Sequence, residues 1–379
     1  MLPCPQAIDK HACRPAYIGR FAPSPSGPLH AGSVVAALAS YLDARAHDGL
    51  WLLRIEDIDP PRVEPGSDIR IRHQLHFLGL HWDAPPWYQS ARVDRYQAVF
   101  ERLHAQGRLY GCGCTRREIS EAWRREREYR ALLPIDCRTN ERHCCETKLH
   151  GETQNSACST FVHSRSPLLY PAHLTPTPES PTESRPHRPV HPQTSPPLAP
   201  VSSDETPYLG TCRNGLPPGR QPRAWRFKVP DEQVAFEDRW LGRQQQHPAQ
   251  DCGDFVLRRA DGLWAYQLAV VVDDGEAGVT DIVRGADLLS STGRQILLQQ
   301  ALGYPRPRYL HLPLLMGDNG QKLSKQNGAP GIDDSGRIDA ATILDSAAQA
   351  LQLRPPATRD PERWLHAATG QWRERFGKR

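Results

Sequence analysis

No stretch of about 18 consecutive apolar residues occurs in this 379-residue chain, so the signature of a membrane-spanning helix is missing. The opening residues, MLPCPQAIDKHACRPAY, have no basic run leading into an apolar one and do not read as a secretory signal. No internal repeat occurs, which sets aside solenoids and propellers. Nor is there an excess of one charge. With 47 basic and 43 acidic residues the net charge is +4, so any nucleic-acid surface must be a local patch hidden in that total. Ten cysteines in a chain this long are no disulfide framework by count alone, and the spacing Cys112-Gly113-Cys114 reads as metal binding in a reducing compartment. A cytoplasmic protein without membrane contact is expected.

Hydrophobic residues, at 38%, suffice for a core, while 36 prolines exceed what a packed domain of this size needs. Eleven of those prolines fall between Pro167 and Pro200, in a Ser/Thr/His-rich tract that cannot bury enough apolar surface to offset its ordering entropy. Five segments follow from this reading. Residues 1–16 are an N-terminal extension, 17–118 a first folded half, 119–206 a largely disordered insertion, 207–330 a second folded half, and 331–379 a helical C-terminal tail. The first half opens with YIGRFAPSPSG, a strand running into a Pro/Ser/Gly loop. A helical pattern around Leu38 and Leu42 follows, ended by Gly49, and then the apolar strand LWLLRIEDID. Such a βαβ start predicts an α/β fold built on a doubly wound parallel sheet. Further helices are expected over about Ser67 to Leu78 and Val93 to Gln106. The second half gives strand, hairpin and helix patterns from AWRFKVP to RYLHLPLL, then the loop MGDNGQKLSKQNG.

Two constellations carry chemistry. Pro23, Ser24, Ser26, Gly27, His30, Gly32 and Ser33 lie where a strand turns into a helix. The exposed N–H groups and positive dipole end of that helix suit a triphosphate, Gly32 lets a nucleoside approach the backbone, and His30 can donate to developing phosphate charge. The second is Lys322-Leu323-Ser324-Lys325, whose lysines can clamp β- and γ-phosphates as pyrophosphate leaves. Asp57, Asp59, Asp273 and Asp274 read as helix caps or as residues that shape the nucleotide site.

With HAGS at residues 30–33 and KLSK at 322–325, the chain resembles the class I aminoacyl-tRNA synthetases, whose HIGH and KMSKS signatures these match. GRFAPSPSG, RIEDID, AYQLAVVVDD and DIVRGADLL narrow the resemblance to the glutamyl-tRNA synthetase group. Within it, the chain is most similar to the glutamyl-queuosine tRNA(Asp) synthetases. The helix SVVAALASYL, the continuation KLSKQNGAP and the 54 residues after Lys325, too few for a helical anticodon-binding region, all favour that branch.

The resemblance, which covers about residues 17–118 and 205–330, implies a Rossmann-like catalytic domain with an inserted zinc-binding, acceptor-type subdomain and a short helical tail. It implies ATP, bound by Pro23, Gly27, His30, Gly32, Ser33 and Lys325, with Mg2+ carried on its phosphates. It implies catalytic roles for His30, Lys322 and Lys325, and a glutamate pocket of Arg20, Ser24, Glu56, Tyr266 and Arg284. In physical terms Arg20 and Arg284 can pair with carboxylates, Glu56 can hold the ammonium and Tyr266 can donate a hydrogen bond. It implies one structural Zn2+ on Cys112, Cys114, Tyr208 and Cys212, although 93 residues separate the two halves and Cys137, Cys144 and Cys145 are rival ligands. Closing so long a loop costs little more than closing a short one. The expected activity is formation of glutamyl-adenylate from ATP and L-glutamate without tRNA. Transfer to the queuosine base of tRNA(Asp) follows, by a monomer. A truncated glutamyl-tRNA synthetase charging a tRNA 3′ end and a non-catalytic zinc- and tRNA-binding module are the alternatives.

Overall fold

Leu50–Ile55 is apolar but for Arg54, with Trp51, Leu53 and Ile55 fully or almost fully buried, and this segment forms strand β2 beside β1 (Ile18–Phe21). The two run parallel, and β3 (Trp87–Tyr88) extends the sheet along the other edge of β2. The computed structural model describes residues 17–132, 206–314 and 331–377. By its contacts the chain divides into Met1–Arg125 with Val201–Arg379, and Glu126–Pro200. In the second of these only the end of one helix is described.

On the far side of β1 lies β9 (Asp281–Gly285), joined by Thr280 N–H to the Ile18 carbonyl (2.9 Å) and by Ile18 N–H to Thr280 Oγ1 (2.8 Å). Parallel to β9 runs β10 (Arg308–Leu312), then β6 (Val234–Asp238), with β7 (Gly242–Gln246) closing the edge as an antiparallel hairpin. By strand pairing these are two sheets, β1–β2–β3, parallel throughout, and β9–β10–β6, parallel with β7 antiparallel at its edge, which touch along β1 and β9. The α/β content and parallel pairing are as expected. A separate antiparallel sheet holds β4 (Leu109–Cys112), β5 (Ala224–Phe227) and β8 (Val256–Arg258).

Helix α1 (Ala31–Ala46) connects β1 to β2 and buries Val34, Val35, Leu38 and Leu42 together with small residues on other faces. A helix apolar on several sides must be enclosed. Here β1 and β9 lie against it, as do α8 (Ala340–Ala350) and α9 (Pro361–Phe376). The remaining helices are α2 (Ser67–Phe77), α3 (Val93–Ala105), α4 (Arg116–Leu132), the short α5 (Pro248–Asp251), α6 (Tyr266–Glu276) and α7 (Leu289–Leu302). Among the described residues no helix is long and apolar enough to cross a membrane.

Three details differ from expectation. Asp48, at φ 51°, takes the left-handed turn after α1. Gly49 is needed for another reason: a Cβ there would lie 2.5 Å from the Tyr17 carbonyl oxygen. The segment 119–206 begins in helix, because α4 continues to Leu132 with Thr115 and Glu118 hydrogen-bonded as a capping box at its start. The remainder of that segment, residues 133–205, lies outside the described residues.

The third concerns the C-terminal helices, which pack into the main core. Asp360 caps α9 by accepting from Arg363 N–H (2.8 Å), and Trp364 and Trp372 are wholly buried. Trp372 donates its indole N–H to Asp43 of α1 (2.9 Å), which also accepts from Tyr17 (2.6 Å) and, bidentately, from Arg239 (2.6 and 2.8 Å). Burial pushes the Asp43 carboxyl up, but the Arg239, Tyr17 and Trp372 donors outweigh it and hold it below its ordinary value. Trp372→Phe keeps most of the apolar body and removes one donor to a buried carboxylate. Its expected cost is about 1–3 kcal/mol in urea unfolding; an unchanged midpoint would mean that α9 docks by apolar burial alone.

Candidate functional site

The carboxyl ends of parallel strands are where an open α/β sheet presents its ligand crevice. Arg20 stands on β1, Glu56 directly after β2, Arg284 on β9, and Tyr266 opens α6. These four expected residues are brought together: the charges of Glu56, Arg284 and Arg20 all act on the Tyr266 hydroxyl. Burial raises the Tyr266 phenol and, against the pull of Arg54 and Arg20, the Glu56 carboxyl as well.

The two arginines are compensated differently. Arg20 Nε donates to Asp274 (3.1 Å). Arg284 has only neutral acceptors among the described residues: Gln295 Oε1 (2.7 Å), Thr292 Oγ1 (2.9 Å), His311 Nε2 (3.1 Å) and the Leu288 carbonyl (3.4 Å). Its side chain is only 4% exposed. A buried guanidinium with no carboxylate partner is a strong attractor for an anionic ligand group.

Beside this pocket, the loop after β1 is pinned by backbone bonds. Pro23 accepts from Glu56 N–H (3.0 Å), Pro25 from Glu64 N–H (2.9 Å) and Ser24 from Ser26 N–H (2.9 Å). Leu29 N–H donates to the buried Gln74 (2.7 Å). His30 is the N-cap of α1, its Nδ1 accepting from Ser33 N–H (3.3 Å). An accepting Nδ1 places the proton of the neutral ring on Nε2. Gly32 and Ser33 form the first turn of α1, where the helix N–H groups point outward. Lys322 and Lys325 lie outside the described residues. Chain resuming at Gly331 pairs with His30, and Ile332 N–H donates to the Leu29 carbonyl (2.8 Å).

Sequence reasoning missed Arg54, and of its two readings for Asp273 and Asp274 the helix-cap one does not hold. Arg54, on β2 and 3% exposed, donates to Asp274 (2.6 Å) and Glu56 (3.1 Å), tying Glu56 to the Arg20 side. Asp274 thus carries two arginines, and Asp273 accepts from Gln89 (2.9 Å), Arg92 (2.7 Å) and Tyr96 (2.8 Å). Both aspartates pair across the core and cap no helix. Asp57 takes Ser90 N–H and Oγ–H, anchoring the turn Gln89–Arg92, and Asp59 pairs with Arg62 and Arg259.

On the antiparallel sheet, Cys112 and Cys114 meet Tyr208 and Cys212 despite the long separation. The three thiol sulfurs lie within 4.8 Å of one another, with Cys114 and Cys212 3.5 Å apart. The Tyr208 hydroxyl is 3.3 Å from Cys112 Sγ and 3.8 Å from Cys114 Sγ. Tetrahedral zinc, with Zn–S near 2.3 Å, sets its thiolates about 3.8 Å apart, so the donor set and spacing fit that ion. Gly253 makes room: in a left-handed turn (φ 68°), its Cβ would collide with the Tyr208 carbonyl. Burial, the Cys212 hydrogen bond and the neighbouring Cys112 push the Cys114 thiol up to about 12, a shift that a bound cation reverses. Cys137, Cys144 and Cys145 lie outside the described residues.

The catalytic-domain model of class I tRNA synthetases (E and Q) matches residues 18–160 and 215–339. A protein of Bordetella bronchiseptica named glutamyl-Q tRNA(Asp) synthetase is 47% identical over 364 residues, 96% of this chain and 91% of its own. Proteins of the same name from Burkholderia cenocepacia (43%, covering 96% and 99%) and Cupriavidus metallidurans (46%, covering 95% and 92%) are similarly related. Among solved structures, a glutamate tRNA ligase from Elizabethkingia meningosepticum, in complex with its amino acid, shares the fold. Its TM-score is 0.58 at 24% identity, over 93% of this chain and 64% of that one.

The shared carboxylate is open to test. Burial pushes Asp274 up, yet Arg20 and Arg54 outweigh burial and hold it low, so its stabilisation is present above the unfolded-state pKa and lost as pH falls through the folded one. Asp274→Ala should lower the unfolding free energy at neutral pH by about 3–5 kcal/mol, by leaving two buried arginines short of a partner. A loss below about 1 kcal/mol in denaturant titration would mean that the cluster acts like a surface ion pair.

Proposed function

The chain belongs to the class I tRNA synthetase family of E and Q type, and on that footing we propose that it activates L-glutamate with ATP and transfers the glutamyl group to the queuosine base of tRNA(Asp). The relatives that carry the name glutamyl-Q tRNA(Asp) synthetase supply the acceptor. The observation that carries the activation step is the buried convergence of Arg20, Glu56, Tyr266 and Arg284, with Arg284 lacking any carboxylate among the described residues. One glutamate answers each feature of that pocket: a carboxylate for Arg284, an ammonium for Glu56, a hydrogen-bond acceptor for Tyr266. Ser24 sits in the loop between this pocket and the nucleotide.

In the reaction, a glutamate carboxylate oxygen attacks the α-phosphorus of ATP in line and the bond to the β-phosphate oxygen breaks. Glutamyl-adenylate and pyrophosphate are the products. No protein nucleophile takes part, so catalysis is positioning and charge stabilisation. His30 donates from Nε2 to the α-phosphate oxygens, while Pro23, Gly27, Gly32 and Ser33 hold the nucleotide against the start of α1. Lys322 and Lys325 take the departing β- and γ-phosphates. Mg2+ arrives on ATP and offsets phosphate charge. Zn2+ on Cys112, Cys114, Cys212 and Tyr208 would be structural, fastening the ends of the chain that lead away from β4 and return before β5. A cytoplasmic location suits the free thiols of Cys112, Cys114 and Cys212.

Glutamate-dependent exchange of labelled pyrophosphate into ATP, without tRNA, tests the activation step. Exchange that appears only with tRNA present would move the assignment to a glutamyl-tRNA synthetase charging a 3′ end. No exchange under either condition would leave a binding module. Arg284→Ala should reduce kcat/KM for glutamate by about 2–5 kcal/mol, or roughly 30- to 5,000-fold. For the metal, elemental analysis should find one zinc per chain, and Cys212→Ser should lose it and unfold at lower denaturant. A metal-free parent of equal stability would remove the zinc assignment.

A further inference from the structure

Arg284 is held from behind by a buried relay. Its Nε–H donates to His311 Nε2 (3.1 Å), and His311 Nδ1 lies 2.6 Å from Asp238 Oδ2. His311 has no exposed surface, and Asp238 is 3% exposed. Since Nε2 accepts from a guanidinium that cannot give up its proton, the imidazole proton must sit on Nδ1 and point at Asp238. Asp238 is fixed in turn by Trp240 N–H (3.0 Å), Leu241 N–H (2.9 Å) and His311 N–H (3.1 Å). Thr292 and Gln295 hold the two terminal nitrogens of Arg284, and Gln295 leans on Gln267 (2.9 Å).

This arrangement contrasts with Arg20, whose Nε–H meets a carboxylate directly. A carboxylate in the place of His311 would spend the charge of Arg284 on an internal partner. A neutral ring orients the same N–H and keeps the Asp238 charge one ring away. Burial, and secondarily the Arg284 charge, hold His311 below its ordinary value against the pull of Asp238.

Resting on the reading of Arg284 as a glutamate ligand, we propose that Asp238 and His311 are positioning residues that aim Arg284 through a neutral imidazole and so keep its charge available for a substrate carboxylate. Neither residue touches substrate. Their effect is therefore on glutamate affinity, transmitted through one guanidinium, and ATP affinity is untouched.

The test uses the full chain in tRNA-independent pyrophosphate exchange, with KM for glutamate, KM for ATP and kcat measured for His311→Phe and His311→Gln. His311→Phe, which removes the acceptor, should raise KM for glutamate roughly 10- to 100-fold and leave KM for ATP unchanged. In His311→Gln the carboxamide can accept from Arg284 and donate to Asp238, so most of that loss should be recovered. An unchanged glutamate KM in His311→Phe overturns the relay. So does an equal loss in both variants that tracks lowered thermal stability, which marks His311 as packing alone. Selective 15N labelling of histidine in the parent gives an independent readout. A protonated Nδ1 with an unprotonated Nε2 supports the relay, and the opposite tautomer overturns it. Should the parent show no glutamate-dependent exchange, the glutamate reading falls, and the tautomer alone decides the relay.

Discussion

Removing an ion from water costs several kcal/mol, so Arg20, Arg54, Glu56 and Asp274 can be buried only as a set in which each offsets another. That requirement ties together three stretches far apart in the chain: β1, β2 with the residue after it, and α6. Asp274 lies 254 residues from Arg20 and 220 from Arg54. The strands must therefore reach their parallel register before the charges can be satisfied, and once satisfied the charges fix where the strand ends stand. Pocket geometry and sheet geometry are the same constraint seen from two sides.

Around that set, the site divides its tasks by chemistry. Charges that belong to the scaffold are neutralised internally, as in Arg54 with Asp274 and Glu56, or Arg92 with Asp273 and Glu276. Arg284, by contrast, is tethered by oxygens and nitrogens without formal charge. At the start of α1, His30 closes the first helical turn by accepting from Ser33 N–H through Nδ1. Neither end needs a mobile proton on a carboxylate, which suits a reaction driven by alignment.

Local signals made much of this legible. The run from Tyr17 to Asp59 announces strand, loop, helix and strand through its apolar strand runs, its Pro/Ser/Gly loop and its helical pattern, and the structure follows it closely. His30 and Gly32 were readable because they sit where a strand and loop give way to a helix, whereas Arg20, Glu56, Tyr266 and Arg284 were singled out only by the family resemblance. Cys112 and Cys114 were readable from their spacing, and Tyr208 with Cys212 only through the family resemblance. Arg54, Asp274, His311 and Asp238 were not. Each is an ordinary residue inside a strand or helix, and its meaning lies in a partner that no local pattern names. Asp43 looked like one more polar residue on a helix, and only the packing of α9 reveals it as a buried anchor. The lysines of KLSK were identified by motif, and their geometry lies outside the described residues.

The Asp43 anchor has a temporal side. Its indole donor, Trp372, lies 329 residues downstream. At ribosomal speeds of about 5–20 residues per second, roughly 15–65 s pass between synthesis of the acid and of its last partner. Throughout that interval α1 has its carboxylate but lacks the helices that enclose it, so the nascent N-terminal half is an unfinished surface in need of shielding. Enclosure of α1 is in this sense gated by translation of α9, and a chain stalled before it would hold residues 30–33 on an incompletely covered helix.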